Sequence, residues 1–158
     1  MLEQDWELLT SAITKGWATV LHIVVGANHV HFVEELLKLM QPDELELQDL
    51  KGNTAFCFAA AVGNVQIAQI MERKNESLPT IRGGGDFTPL HLAVLLGRTE
   101  MAWHLFPKTK QIFQEVDWTT VFFLSINCGL YDRPIILIVY QITPRSISYK
   151  NIKNNDTQ

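Results

Sequence analysis

Apolar positions along the chain recur with helical spacing rather than in strict alternation. Leu2, Trp6, Leu9 and Ile13 stand four, three and four residues apart, one stripe of a short helix over 2–14. The opposite face carries Glu3, Gln4, Glu7 and Thr10, which suits a leading cap with a polar outer side. The next apolar runs predict a helix over 20–26 and a second over 30–40. Phe32, Val33, Leu36, Leu37 and Met40 share one face of the second. The same pairing returns at 56–62 with 65–73, and again at 89–96 with 99–106. Pro42, Pro79 and Pro107 follow the second helix of successive pairs. Pro107 is expected to stop its helix, because proline has no N–H and its ring collides with the preceding turn.

Each first helix opens on a threonine phrase. The fullest is Thr88-Pro89-Leu90-His91-Leu92-Ala93. Thr88 suits the N-cap, where its hydroxyl can accept from an orphan N–H, and Pro89 suits the first helical position. Leu90 and Ala93 are expected to point inward, with His91 on the packed side bonding loop backbone. Thr19-Val20-Leu21-His22-Ile23 and Thr54-Ala55-Phe56-Cys57-Phe58-Ala59 are weaker copies, so Leu21, Phe56 and Leu90 share a slot. Positions 19, 54 and 88 are 35 and 34 residues apart. Nine residues after each threonine stand Asn28, Gly63 and Gly97. Glycine adopts left-handed backbone freely and asparagine tolerates it, so this slot is expected to reverse the chain there.

A period of about 33 residues with Thr-Pro-Leu-His-x-Ala is the ankyrin signature, and the chain resembles ankyrin-repeat proteins. The resemblance implies an all-α solenoid of stacked antiparallel helix pairs with β-turn fingers. Repeats are placed near 15–48, 49–82 and 83–116, after a cap over 1–14. A degenerate fourth covers 117–142, and a disordered polar tail 143–158. The fingers are expected over 43–52, where Gly52 takes the strained turn position, and at Arg82-Gly83-Gly84-Gly85-Asp86. Stepping 34 residues from Thr88 places the fourth helix pair near Phe122. Leu124, Ser125 and Tyr131 then fill its slots, and Thr119 or Thr120 is a cap slightly earlier. Asp132 would cap a last helix over 135–140, with Pro134 at its start.

Composition narrows the chemistry. The 158 residues are 47% hydrophobic and 19% charged, enough apolar content for a continuous core and below the usual charged share of about 25%. A net charge of −4 argues against a nucleic-acid surface, which normally shows a basic stripe. Cys57 and Cys128 fall in predicted helices and are expected to be buried free thiols. No apolar run suggests a signal peptide, so the sequons at Asn75 and Asn155 are read as chance. The longest apolar stretch, 121–142, is broken by Asp132-Arg133-Pro134, short of a membrane span. The three glycines lack the Gly-Lys-Ser/Thr of a phosphate-binding loop and are read as a flexible finger. His22, Cys57 and His91 share a slot in successive repeats. Packed helices stand about 8–10 Å apart, while zinc ligands lie about 2.0–2.3 Å from one ion. These slot-mates therefore cannot share a metal, and no cofactor is expected. His29 and His31, one residue apart, are expected at the surface. No catalytic motif is found.

Further phrases narrow the resemblance. Lys51-Gly52-Asn53-Thr54-Ala55 with Cys57-Phe58-Ala59-Ala60-Ala61, Leu78-Pro79-Thr80-Ile81-Arg82-Gly83-Gly84-Gly85, and Leu130-Tyr131-Asp132 resemble plant ankyrin-repeat proteins that end in a membrane-spanning Pro-Gly-Gly domain. That domain is not found in this sequence. The resemblance implies a non-catalytic, cytoplasmic interaction module in stress, defence or salt signalling. Its partner would be a protein, not a nucleic acid or a small-molecule substrate, with a membrane reached only indirectly through a homologue. Carried over from the family, the partner-facing positions are Trp17, Ala18, Lys51, Asn53, Ala61, Val62, Phe87, Leu95 and Leu96. The alternative is a truncated regulatory fragment that pairs with full-length membrane-anchored homologues through its end repeat.

Overall fold

Each helix pair begins where a threonine halts extended chain. Thr19, Thr54 and Thr88 have ψ of 171°, 164° and 162°, and the residue after each starts a helix. In the computed structural model, which describes residues 6–128, these helices are α2 (Val20–Gly26), α4 (Ala55–Val62) and α6 (Pro89–Leu95). Their partners are α3 (Val30–Leu39), α5 (Val65–Lys74) and α7 (Thr99–Thr109), with α1 (Trp6–Thr10) before them and α8 (Glu115–Asn127) after. Short 3₁₀ turns lie at Asp43–Glu46, Leu78–Thr80 and Gly84–Asp86. The β-structure of the described residues is one isolated antiparallel bridge, Gln48 to Thr54, inside a finger. The fold is the all-α stack that the repeating phrases imply.

The caps explain why histidine sits third in two of these helices. Thr19 N–H donates to His22 Nδ1 at 3.2 Å, and Thr88 N–H donates to His91 Nδ1 at 3.1 Å. This is a capping box with imidazole in place of the usual Glu or Gln. An accepting Nδ1 leaves the proton on Nε2. His22 uses that proton on the carbonyl of Asn53, 3.0 Å away in the next finger, so one side chain closes its own helix and ties down the following repeat. The second repeat has Cys57 in this slot, and Thr54 Oγ1 accepts directly from Cys57 N–H at 3.4 Å.

Reversal within each pair uses left-handed backbone, with φ of 62° at Asn28, 86° at Gly63 and 67° at Gly97. The first helices α2, α4, α6 and α8 then stack as one layer, and α3, α5 and α7 as the other. Leu21, Phe56 and Leu90 are buried between first helices. Ala59 and Ala93, buried a turn later, are small enough to let neighbours approach. Val33, Leu36, Leu37, Ile67, Met71, Met101 and Leu105 close the core from the second layer.

Tertiary packing overrides the sequence pattern in several places. Helix α1 ends at Thr10, not at residue 14, because Thr14 is used in the first finger. Its carbonyl accepts from Trp17 N–H at 3.0 Å and its hydroxyl from Ala18 N–H at 3.1 Å. Phe32 is off the core face and half exposed to solvent, while Met40 is buried as the cap of α3. Pro107 does not stop α7. Its missing donor costs one bond, and the helix runs on two residues to Thr109, with Thr109 buried and Lys110 N–H on the Phe106 carbonyl at 3.0 Å.

The fourth repeat is displaced rather than merely weak. Gln114 caps α8, its N–H donating to Asp117 Oδ2 at 2.8 Å. That cap is 26 residues after Thr88 (114 − 88), eight short of the step that points to Phe122. No finger precedes α8; the chain turns directly from α7 into it. Thr119 and Thr120 lie inside the helix, their hydroxyls bonded back to the Glu115 and Val116 carbonyls at 2.9 and 2.8 Å, as mid-helix threonines do. Phe122 and Leu124 are half-buried and Ser125 is buried. Tyr131, Asp132, Pro134, the helix over 135–140, the tail over 143–158 and the first residues of the cap lie outside the described residues.

Candidate binding surface

Three fingers run over 14–18, 48–53 and 82–87. Each reaches its threonine through a residue with left-handed backbone two positions earlier: Trp17 at φ 59°, Gly52 at 84° and Asp86 at 63°. Glycine meets this demand without strain, whereas an L-residue there costs roughly 1–2 kcal/mol. A tryptophan in that conformation is an outlier, and burial does not offset it, since Trp17 is 62% exposed.

The fingers are joined side by side. Leu50 N–H donates to the Gly16 carbonyl at 2.9 Å, and Gly84 N–H to Asn53 Oδ1 at 2.9 Å. Asp49 Oδ1 pins the middle turn by accepting from Lys51 and Asn53 N–H at 2.9 and 2.8 Å. The third finger is not a loose glycine loop. A Cβ on Gly83 would stand 2.7 Å from Asn53 Oδ1 and 2.9 Å from Cys57 Sγ, and one on Gly84 would stand 2.4 Å from the Lys51 carbonyl oxygen. Those two glycines allow close approach to the second finger, and Gly85 alone has open space.

Below the fingers, α2, α4 and α6 carry no charged residue. Their open side shows Ile23, Leu95 and Leu96, which are 45%, 38% and 48% exposed, with Ala61, Val62 and Phe58 half-buried between. Phe58 packs edge-on to His22, ring centres 5.5 Å apart.

Of the nine sequence-predicted contact residues, the structure exposes Trp17, Lys51, Leu95 and Leu96 and half-buries Ala61 and Val62. Ala18 is buried, so it is no surface residue. Asn53 is half-buried and its carbonyl and side chain are spent on His22 and Gly84. Phe87 is not a free anchor. It stacks on His91 at 5.2 Å, and His91 stacks in turn on Phe113 at 5.0 Å, a ring pile beneath the third finger.

Sequence reasoning missed what flanks that pile. Arg82 grips Asp117 with both guanidinium nitrogens, Nη1 to Oδ1 at 2.9 Å and Nη2 to Oδ2 at 2.8 Å. The Arg82 bonds and the Gln114 N–H hold the Asp117 carboxyl below its ordinary value despite burial. His91 Nε2 faces Asp117 Oδ1 at 3.6 Å, yet burial pushes its imidazole below the ordinary value of 6.5. Gln114-x-x-Asp117 was the available signal, a capping box with glutamine as cap. Ile23 was legible as the residue four past Thr19.

The cysteines differ. Cys57 is buried and free, burial pushing its thiol up. Cys128 is only half-buried at the end of α8, its Sγ 2.9 Å from the Leu95 carbonyl. His29 and His31 are exposed. On the outer layer Glu72 gathers His104 Nε2 at 3.0 Å and the Lys108 ammonium. Among the described residues, no three His, Cys, Asp or Glu side chains are placed to hold one metal ion. No helix of the described residues is long and apolar enough to cross a membrane.

Stacked helix pairs with linked fingers and an uncharged open side define a repeat solenoid, a class whose working part is an extended surface. A family profile for ankyrin repeats in three copies matches residues 21–117, more than half of the sequence. The chain belongs to the ankyrin-repeat family. No curated protein matches it. Among solved structures it is similar to a chain in the crystal structure of the yeast ribosomal protein Rps3 in complex with its chaperone Yar1. The TM-score is 0.60 at 20% identity, over 66% of this chain and 76% of that one, a likeness of fold.

Proposed function

We propose that this chain is a non-catalytic protein-binding module whose partner occupies the ledge between the fingers and the open side of α2, α4 and α6. The observation that carries this reading is the absence of charge from those three helices while Ile23, Leu95 and Leu96 stay in contact with water. An exposed apolar cluster of this kind marks an interaction site. The yeast structure holds a ribosomal protein in complex with its chaperone, which supports partner binding by a fold of this type. The phrases around Lys51, Leu78 and Leu130 support a finer reading, a cytoplasmic scaffold or regulator in stress or defence signalling, akin to the plant family. The test is a pull-down with the full chain and with Leu96→Asp as baits. A partner retained by the first and lost by the second, at equal melting temperature, supports the ledge. A partner held equally by both places binding elsewhere.

A second reading has its own observation. Helix α8 leaves Val116 and Phe123 73% and 57% exposed, so the end repeat offers a face for a full-length, membrane-anchored homologue. Co-expression followed by fractionation tests it: the chain should sediment with membranes when the homologue is present and stay in the supernatant otherwise.

A further inference from the structure

We propose that Ser77 is a phosphorylation site for a protein kinase that selects basic residues before its acceptor, and that the phosphate unclips the second repeat from the first. The site lies just past the end of the outer helix α5 and is independent of the ledge.

Most hydroxyls of this chain are withheld from solvent. Among the described residues the exposed serines and threonines are Thr14 and Ser77, and the rest are buried or half-buried. No Lys or Arg precedes Thr14 in the sequence. Ser77 follows Arg73 and Lys74, four and three positions earlier in the last turn of α5. Neither of these is in an ion pair among the described residues, and Arg73 Nε donates to a neutral acceptor, the Gln69 carbonyl, at 3.3 Å. Glu76 is the one acid between the two cations and Ser77. A kinase of the basic-directed class discriminates substrates by such a charge pattern. Residues 75–77 lie outside regular helix, between α5 and the turn at Leu78–Thr80, and the hydrogen bonds that hold them are at the surface.

Those bonds form a clip between repeats. Asn75 Nδ2 donates to the Pro42 carbonyl and to Glu46 Oε1, both at 2.8 Å, and Ser77 Oγ donates to the same Glu46 oxygen at 2.9 Å. The end of the second repeat's outer helix is thereby joined to the 3₁₀ turn that follows α3. The bonds from Asn75 and Ser77 hold the Glu46 carboxyl below its ordinary value, so it is charged at neutral pH.

Phosphoryl transfer from ATP forms a bond between Ser77 Oγ and the γ-phosphorus and breaks the bond from that phosphorus to the β,γ-bridging oxygen. ADP leaves, and the hydroxyl proton passes to the kinase's base. The donor to Glu46 is lost, and a group of about −1.5 to −2 charge takes its place. It meets Glu46, with Asp43 and Glu44 in the same turn, and the C-terminal end of α5. Like charges and a helix C-terminus both disfavour a phosphate. The cations nearest in sequence, Arg73 and Lys74, belong to α5 and not to the acidic turn, so they do not restore the clip.

The test uses the full chain, magnesium ATP and the catalytic subunit of cyclic-AMP-dependent kinase, with the phosphate mapped by mass spectrometry. Phosphate on Ser77 is expected, absent in Ser77→Ala and incorporated about tenfold more slowly in Arg73→Gln with Lys74→Gln. In the phosphorylated chain, backbone amides of 43–47 and 75–80 should exchange with solvent roughly tenfold faster, while those of α6 and α7 keep their rates. Incorporation only at other residues, or none, overturns the site, as does a rate indifferent to Arg73 and Lys74. Phosphate accepted by a synthetic peptide of residues 69–81 but refused by the folded chain overturns it too, because the fold then hides Ser77. Phosphate on Ser77 with unchanged amide exchange overturns the unclipping.

Discussion

Arg82 and Asp117 are 35 positions apart in sequence, yet their side chains meet through two parallel bonds of 2.9 and 2.8 Å. Arg82 opens the third finger and Asp117 lies in the first turn of α8. The same Asp117 carboxylate caps α8 through Gln114 N–H and faces the imidazole that caps α6. A single acid therefore ties the cap of the fourth first helix to the third finger and to the cap of α6, in a repeat that has no finger of its own. Bidentate pairing makes the geometry specific as well as favourable.

Removing that acid should loosen α8. Asp117→Asn keeps the size but cannot hold both guanidinium nitrogens, and Arg82 loses its main partner. A loss of roughly 1–3 kcal/mol is expected, read as a lower urea midpoint. An unchanged midpoint would mean that the aromatic pile alone docks α8.

Stability should fall on acidification in two stages. The folded chain holds His91 below its ordinary value of 6.5, chiefly by burial. The unfolded chain therefore takes up the proton first, and stability is present above about pH 6.5 and is lost as pH falls through the lower folded value. The folded chain also holds Asp117 below its ordinary 3.8, chiefly through Arg82, so a further loss follows below pH 3.8. Both groups act in the same direction. Urea midpoints from pH 7.5 to 3 test it, and His91→Gln should flatten the upper stage only.

The three glycines of the third finger should not be equivalent. Gly85 has open space and φ of 68°, a conformation that asparagine tolerates. Gly85→Asn should change stability by no more than about 0.5 kcal/mol. Gly84→Asn drives a Cβ to 2.4 Å from the Lys51 carbonyl oxygen, and overpacking of this kind costs roughly 1–3 kcal/mol. Thermal melts of the two variants should separate clearly, and equal melts would mean that the fingers part without cost.

Phe87 and Leu96 should divide stability from binding. Phe87→Ala removes the top of the ring pile on His91 and should lower stability by roughly 1–3 kcal/mol. Leu96→Ala touches a residue 48% exposed and should leave stability within about 0.5 kcal/mol, while partner affinity falls by more than about 1 kcal/mol. Melting and partner titration on the same samples read both. The reverse pattern would put the working face under the third finger.

The sequence by itself determined the repeats. Thr19, Thr54 and Thr88 start their helices, and Asn28, Gly63 and Gly97 reverse the chain, because caps and left-handed turns depend on one residue and its near neighbours. Which helices stack first to first also follows from that register. Tertiary structure decided the rest. Whether Ala18 and Phe87 face a partner or the core depends on what the next repeat lays over them. Pro107 is carried inside α7 because Thr109, two residues on, is buried against the core with its hydroxyl on the Leu105 carbonyl. Helix α8 starts at Glu115 through its own Gln114–Asp117 cap, but where it docks depends on Asp117 finding Arg82, a partner 35 positions away that no local pattern reveals. Local rules set where elements begin, and long-range contacts set which side of each element is spent.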